Sequence, residues 1–282
     1  MASLAAHSTI PTSKNVIRIR FFRKSDAPQV RELFMLANAH GRASHCLHLQ
    51  QANLPHDTIT RHAAGSPRQV ALDTLLFRPI SLFAYALILL GFAILVWSPQ
   101  HKNWGALLSV GVATLFLSYR FLLSDSFIYY CMKALRTDLA DIAKHYSMVS
   151  SGTSTEELAP SGPSAFWVVE CESRDEKGVE IVGAVALDCY EKDGILQGEL
   201  RRMGVSPHHR RKGIAALLLR ALIAHAKDNG IPTVWLGTTE YQQPAMDMYK
   251  KYGWVESGKE ILKDRLGLGV TKIIMLWFRL DL

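Results

Sequence analysis

Two long apolar segments interrupt the alternation of apolar and polar positions along the chain. Residues 79–98 contain no charged side chain, and at ~1.5 Å rise per residue a helix of this length matches a hydrocarbon core of ~30 Å. In residues 104–123 the only charge is Arg120, which lies near the end, where its side chain can reach the membrane interface. The pattern predicts two membrane-crossing helices.

The short connection at 99–103 predicts an antiparallel hairpin, which leaves the chain before and after it on one side of the membrane. Lys102 is the single basic residue of this connection. The segments on the outer side of the two spans carry more basic residues, among them Arg61, Arg68, Arg78, Lys133 and Arg136. The positive-inside rule therefore predicts that both soluble parts face the cytosol. A buried hairpin within a soluble protein and a re-entrant loop remain open as alternatives.

Shorter periodicities predict strands and helices on both sides of the hairpin. Residues 16–22 alternate apolar and basic side chains, as in a strand, and a helix follows over about 26–38. Residues 40–66 are interpreted as a loop, residues 124–148 as a helix, and the stretch 149–164, rich in Ser, Thr, Gly and Pro, as a linker.

The last part of the chain predicts an α/β core in which strands precede and alternate with helices. Strands are predicted over 166–171, 180–189, 197–205, 233–236, near 255 and over 272–278, and helices over 214–227 and 244–252. The chain thus divides into 1–75 (β-α unit and loop), 76–123 (hairpin), 124–164 (helix and linker) and 165–282 (core).

Composition narrows the classes of function. A net charge of +7 suits an anionic partner, but the basic residues are dispersed and show no helix-turn-helix or finger spacing, so nucleic acid is disfavoured. The four cysteines lie far apart, which favours a reducing compartment. His208 and His209 lack acidic partners at ligand spacing, and no metal is expected. The N-terminus does not read as a cleaved signal peptide.

A basic, glycine-containing loop leads from a predicted strand into a predicted helix, and carries Arg210, Arg211, Lys212 and Gly213. The unpaired N–H groups and the positive dipole end of a helix start suit a pyrophosphate, and Gly213 lets oxygen approach the backbone. From this spacing alone, a phosphate loop and a solvated basic helix entry stay equally open. The loop is neither a P-loop nor a dinucleotide-binding fingerprint.

The segment Arg210-x-x-Gly213-x-Ala215 after a strand resembles the acetyl-CoA pyrophosphate signature of the GNAT superfamily, R/Q-x-x-G-x-G/A. The order of predicted elements is similar to the whole GNAT fold, a mixed, mostly antiparallel central sheet flanked by helices, here interrupted by a two-helix membrane hairpin. Residues 200–205, 213–215 and 236–239 and Tyr249-x-x-x-Gly253 resemble the membrane-bound amino-acid acetyltransferases, the group of N-acetylaspartate synthetase and cysteine-conjugate N-acetyltransferase.

This resemblance implies that acetyl-CoA is the co-substrate and that the strand at 201–205 bulges away from its neighbour, so that the pantetheine arm lies in the gap. The N–H of Val205 would polarise the thioester carbonyl. The cofactor-binding residues expected from the resemblance are Met203, Gly204, Val205, Arg210, Arg211, Lys212, Gly213, Ile214 and Ala215.

Catalytic groups follow from the same resemblance. Tyr249 is the expected acid for the departing thiolate, or else an aromatic packing residue. Glu199 is the candidate base for the amine, or else a strand carboxylate paired with Arg201. Thr238 and Thr239 line the acceptor pocket or cap a turn.

The sequence therefore predicts a membrane-anchored N-acetyltransferase that moves acetyl from acetyl-CoA to the primary amine of a small amino acid or amino-acid conjugate, by direct attack in a ternary complex. Its expected partners are acetyl-CoA, a small amine and the lipid bilayer, and its expected location is the endoplasmic reticulum. The alternatives are a membrane-bound protein lysine or N-terminal acetyltransferase and a non-catalytic acetyl-CoA-binding membrane protein. No acceptor motif is recognised in 41–65.

Overall fold

The computed structural model describes residues 9–11, 15–39, 66–150, 152, 157–173, 179–262 and 273–282. The strands are β1 (Thr9–Pro11), β2 (Asn15–Phe21), β3 (Met148–Ser150), β4 (Leu158–Pro160), β5 (Ala165–Ser173), β6 (Val179–Lys192), β7 (Ile195–Val205), β8 (Thr233–Thr239), β9 (Val255–Leu262) and β10 (Ile273–Asp281). The helices are α1 (Ala27–Ala39), α2 (Pro67–Leu76), α3 (Pro79–Trp97), α4 (Lys102–Arg136), α5 (Ile142–His145), α6 (Ile214–Asp228) and α7 (Gln243–Lys251).

Within these residues eight strands form one sheet in the order β1-β2-β5-β6-β7-β8-β10-β9, and β3 pairs with β4 separately. All neighbours in the large sheet are antiparallel except β7 and β8. Residues 181–187 of β6 are buried without alternation, because α1 and α6 both pack on this strand. The predicted fold class, a mixed and mostly antiparallel sheet flanked by helices, is confirmed.

Helix α4 corrects the prediction for residues 124–148, because it continues unbroken across position 124 and ends at Arg136. At this end the hydroxyl of Thr137 donates to the carbonyl oxygen of Lys133, one of the carbonyl groups that the last turn leaves without a partner within the helix. Beyond it the chain forms α5 and β3 rather than more of the same helix. The stretch predicted as a plain linker contains β4, which is paired with β3.

Helix α2 was not predicted, although its start carries a recognisable signal. Ser66 is its N-cap and accepts a hydrogen bond from the N–H of Gln69, and Pro67 occupies the first turn. Most of the loop predicted at 40–66, including the segment searched for an acceptor motif, lies outside the described residues, as do 174–178 and 263–272.

Helices α3 and α4 cross at small residues. A Cβ built on Gly105 would lie 2.5 Å from the carbonyl oxygen of Gly91, and Ser109 Oγ donates to the carbonyl oxygen of Ile88 across the crossing. The remaining faces of the pair expose large apolar side chains, among them Ile80, Phe83, Leu89, Phe92, Trp97, Trp104, Leu107, Val110, Leu115 and Phe121. Both helices are long and apolar enough to cross a membrane.

The C-terminal turns of α4 belong to the soluble fold. Leu123, Phe127, Cys131 and Ala134 recur at helical spacing and are all buried. Phe127 packs edge-on against Tyr241, with ring centroids 6.0 Å apart. One continuous helix thus connects the apolar hairpin to the core that carries the candidate site.

Candidate active site

Strands β7 and β8 separate at the centre of the sheet. Their parallel pairing covers only Gly198–Leu200 against Val234–Leu236, although both strands continue further. On its other edge β7 shifts register against β6, since Ala184 pairs with Gly204 and Ala186 with Arg201. Two residues, Arg202 and Met203, therefore face one residue of β6, and Arg202 has a positive φ of 54°. The bulge and the gap that the sequence led us to expect are both present.

The backbone beyond the bulge directs the N–H group of Val205 into this gap. Ser206 N–H donates to the carbonyl oxygen of Val182, on the β6 side, at 2.9 Å. Because successive N–H groups of a strand point to opposite edges, that of Val205 points away from β6. The gap thus offers a hydrogen-bond donor to an extended ligand.

The loop after β7 ends at the start of α6. Gly213 is the N-cap of this 15-residue helix and has a φ of 79°, which favours glycine. A Cβ at Gly213 would meet no atom within 4 Å, so its surface is open. The first N–H groups of α6 have no partner within the helix, which fits the pyrophosphate of a CoA thioester. The Ile214 side chain is buried against Gly183, so the backbone is what Ile214 can offer a ligand.

A cavity of about 820 Å³ extends from this loop along the gap. Six of the nine predicted cofactor residues line it: Met203, Gly204, Val205, Arg210, Arg211 and Ala215. Lys212, Gly213 and Ile214 do not line it. The opposite wall comes from α1, α2 and α7, through Asn38, Val70 and Met248 among others. We name this cavity the cofactor groove.

A second cavity of about 540 Å³, the acceptor pocket, joins the groove at Asn38, Met203, Gln242 and Tyr249, which line both. It contains the four predicted catalytic and acceptor residues, Glu199, Thr238, Thr239 and Tyr249. Sequence reasoning did not identify the wall supplied by α4, formed by Phe127, Tyr130 and Lys133 among others. Of the predicted site residues, Met203 and Tyr249 thus lie where the two cavities meet.

Tyr249 serves the core and the cavities at once. Its ring packs against Trp254 and Phe278, with centroids 5.9 and 6.4 Å away. Its hydroxyl donates to Met203 Sδ at 3.6 Å, and thioether sulfur is a weak acceptor. Burial raises the pKa of Tyr249, so the hydroxyl keeps its proton at neutral pH. The packing role and a proton-donating role are compatible here.

Glu199 lies beside two charged neighbours. Arg201 Nε is 3.6 Å from Glu199 Oε1, and Arg201 also donates to Asp188 at 2.6 Å. Burial raises the pKa of Glu199, the charge of Arg201 lowers it, and Asp188 raises it again; the net shift is upward. The ion pair expected under the alternative interpretation is present, yet the carboxyl is a stronger base than an ordinary glutamate.

The two threonines at the end of β8 differ. Thr238 Oγ1 donates to Gln242 Oε1 at 2.9 Å, which fixes the turn after the strand. Thr239 Oγ1 is buried and has no hydrogen-bond partner among the residues that the structure describes. A buried polar atom of this kind usually has a partner, so Thr239 is the threonine that differs from a simple turn residue.

Arg202 and Asp138 form a buried ion pair that the sequence did not reveal. Arg202 Nε and Nη2 each donate to an Asp138 oxygen at 2.6 Å, and Tyr146 Oη donates to the same carboxylate at 2.8 Å. Burial alone would raise the pKa of Asp138, but Arg202 outweighs it and lowers the pKa to about 2. The two residues are 64 positions apart, and no local pattern indicates such a pairing.

The chain is similar to known proteins over different parts of its length. A model of the acetyltransferase (GNAT) family matches residues 133–254. A mouse protein named N-acetyltransferase 8 is 30% identical over 247 residues, which cover 87% of each chain. A zebrafish N-acetylaspartate synthetase is 36% identical over 126 residues, 45% of this chain and 38% of that one. A solved GNAT family acetyltransferase from Elizabethkingia anophelis with acetyl-CoA bound is 18% identical, with a TM-score of 0.33, over 43% of this chain and 77% of that one.

Proposed function

Since this chain belongs to the GNAT acetyltransferase family and is a relative of the N-acetyltransferase 8 proteins, we propose that it acetylates the primary amine of a small amino acid or amino-acid conjugate from a membrane-anchored position. Family membership makes it an acetyl-CoA-dependent N-acetyltransferase. The observation that carries the proposal is the junction of the cofactor groove and the acceptor pocket at Met203 and Tyr249.

The groove provides what a CoA thioester requires. The start of α6 offers unpaired N–H groups and a positive dipole end to the pyrophosphate, with Arg210 and Arg211 lining the same cavity. The Val205 N–H points into the gap, and the Met203 backbone beside it lines the path of the pantetheine arm. Acetyl-CoA supplies the acetyl group as an activated thioester, and the Val205 N–H stabilises negative charge on the carbonyl oxygen.

Proton transfers are assigned to two side chains of the acceptor pocket. Glu199 takes a proton from the acceptor ammonium, directly or through a water, so that the nitrogen lone pair becomes available. Tyr249 donates a proton or hydrogen bond to the departing thiolate. No covalent enzyme intermediate is required, because acceptor and thioester meet at the junction of the two cavities.

A Glu199→Gln variant is expected to lose roughly 100-fold in kcat/KM at pH 8, as for removal of a general base. Because the pKa of Glu199 is raised, the native profile loses activity on acidification at a pH above that of an ordinary carboxyl, as the base becomes protonated. The variant should lack this limb and keep the titration of the acceptor amine. Glu191→Gln, an exposed change at the end of β6, is the matched control. A native-like acidic limb in Glu199→Gln would assign the base elsewhere.

The acceptor class is supported by the size and charges of the pocket. A volume of about 540 Å³ suits a small molecule. Its lining includes the anionic Glu199 and the cationic Lys133 and Arg201, besides the Asp138–Arg202 pair, whose charges neutralise each other. An amino acid carries a matching ammonium and carboxylate. A protein lysine or N-terminal acetyltransferase, the alternative, would need an open groove for a polypeptide.

Release of CoA thiol from acetyl-CoA, measured across amino acids, S-substituted cysteines and lysine- or N-terminus-bearing peptides, tests the proposed function. We expect turnover with one or more of the small amines and at least about tenfold lower kcat/KM with peptides. Turnover confined to peptides would favour the alternative. No thiol release with any acceptor, from protein shown to be folded, would contradict the proposed activity.

The membrane anchor is supported by the exposure of α3 and α4. In the most apolar 18-residue stretch of each helix, only 11% of the residues of α3 and 6% of those of α4 are buried inside the protein. The helices of a buried hairpin would be largely covered. An apolar surface of this extent requires lipid or another apolar partner. Trp97 and Trp104 lie near the turn of the hairpin, where an aromatic belt is expected. The charges flanking the hairpin favour a cytosolic position for the soluble parts. The endoplasmic reticulum is the membrane that we propose, and those charges do not bear on the choice of organelle.

Protein expressed in cells is expected to stay with the membrane fraction after alkaline carbonate extraction. A Leu89→Lys, Leu115→Lys double variant should be largely extracted, because a lysine at the centre of a span costs about 2.5–3.5 kcal/mol. Both leucines are exposed on the hairpin, and Glu191→Lys serves as the control for added charge. Complete extraction of the native chain would rule out membrane insertion.

A further inference from the structure

The bulge in β7 contains an unusual backbone conformation at a residue with a large side chain. Arg202 has a φ of 54°, in the left-handed region that non-glycine residues seldom adopt. Such conformations persist where the surroundings over-determine them. The bulge also places Met203 and Val205 along the cofactor groove. What holds Arg202 in place therefore bears on the shape of the groove.

The side chain of Arg202 is held from several directions. Asp138 binds it through both carboxylate oxygens, each at 2.6 Å. Its Nη1 donates to Tyr130 Oη at 3.2 Å, and the guanidinium lies over the rings of Phe34 and Tyr130, at 5.3 and 5.8 Å from their centroids. The contacts come from α1, from α4 and from the turn that follows α4. They surround a side chain that is only 7% exposed.

Asp138 is itself fixed. It is 1% exposed and accepts a hydrogen bond at 2.8 Å from the Tyr146 hydroxyl. A bidentate arginine–carboxylate pair is directional as well as strong. Because Asp138 is held in place and binds the guanidinium in one geometry, the ion pair restrains where the Arg202 backbone lies, in addition to neutralising the arginine charge.

We propose that Asp138 and Arg202 are a positioning pair, which holds the strained bulge of β7 and thereby keeps the Met203 and Val205 backbone open toward acetyl-CoA. Neither residue needs to touch the reacting atoms for this role. The inference rests on the proposed cofactor groove and deepens it: the turn after α4 determines the conformation of the strand that receives the thioester.

Two substitutions at one position separate the backbone effect from loss of the ion pair. Arg202→Ala and Arg202→Gly both remove the side chain and leave Asp138 without its cation. They differ because glycine adopts a positive φ freely and alanine does not. We expect the Kd for acetyl-CoA, measured calorimetrically, to rise at least ~10-fold in Arg202→Ala and to return to within ~3-fold of native in Arg202→Gly.

Further readouts distinguish positioning from general destabilisation. Asp138→Asn should raise the KM for acetyl-CoA by about tenfold and change the KM for the acceptor less, since the bulge acts on the groove. Thermal unfolding of each variant controls for global effects, and Arg23→Ala, which removes an exposed ion pair with Glu157, should leave both constants unchanged.

Equal acetyl-CoA affinity of Arg202→Ala and Arg202→Gly at equal melting temperature would overturn the positioning pair. Native affinity for acetyl-CoA in Arg202→Ala would also overturn it. These outcomes differ from failure of the proposed function, which would show as native protein that neither binds acetyl-CoA nor releases CoA thiol and would remove this inference with it.

Discussion

A Gly213→Glu variant is expected to bind acetyl-CoA at least about 100-fold more weakly than the native protein. The new carboxylate would stand at the start of α6, where the groove offers N–H groups to a pyrophosphate. Losing one charge-assisted hydrogen bond costs roughly 1.5–3 kcal/mol, and repulsion between like charges adds to this loss. Calorimetric titration of purified protein with acetyl-CoA measures the change directly.

Gly230→Glu is the matched control for this experiment. Gly230 also has a positive φ, 66°, and open space around its Cβ position, but it lies at the far end of α6. The control introduces the same side chain and a similar backbone strain without approaching the groove. Equal affinities for acetyl-CoA in the two variants would show that the start of α6 does not hold the pyrophosphate.

A Tyr249→Phe variant is expected to lower kcat by roughly 100- to 1,000-fold, within the range for removal of a general acid. The aromatic ring and its packing on Trp254 and Phe278 are retained, so acetyl-CoA affinity should change by less than about threefold. Steady-state kinetics combined with equilibrium binding separates these two effects. Tyr252→Phe, one turn later and outside both cavities, is the control.

The pH dependence provides a second check on Tyr249. Its pKa is raised above the ordinary value of 10.0, so the acid stays protonated across the neutral range and its own titration cannot produce a basic limb below that pH. Wild-type turnover in Tyr249→Phe would leave the tyrosine as a packing residue and move the acid role elsewhere.

The parts of the site that depend on local pattern were predictable from sequence. A strand, a basic glycine loop and an apolar helix in succession give the geometry around Gly213, since each signal lies within a few residues of the next. Tyr249 was singled out by the family resemblance, through the pattern Tyr249-x-x-x-Gly253. These are cases in which local preference and the final fold agree.

The parts that depend on distant contacts were not predictable. Asp138 and Arg202 are separated by 64 positions, and each alone has the appearance of a solvated charge. The end of α4 was misplaced because residues 137–148 are compatible with a helix by composition, whereas the buried pairing of Asp138 and the core packing of Tyr146 stop it at Arg136. The α4 wall of the acceptor pocket was missed because it meets β7 and β8 only through tertiary packing. Tertiary contacts decided these features over local propensity.

The continuity of α4 has a mechanical consequence. Residues 124–136 add about 20 Å of helix beyond the apolar span. Within this extension the side chains of Phe127 and Cys131 are buried in the protein. With the hairpin inserted as we propose, a continuous helix connects the acetyltransferase domain to the membrane, and no flexible linker separates them at this point. Its height above the lipid headgroups and its tilt would be set by this one continuous helix, so the pocket would keep a constant distance and angle relative to the bilayer surface.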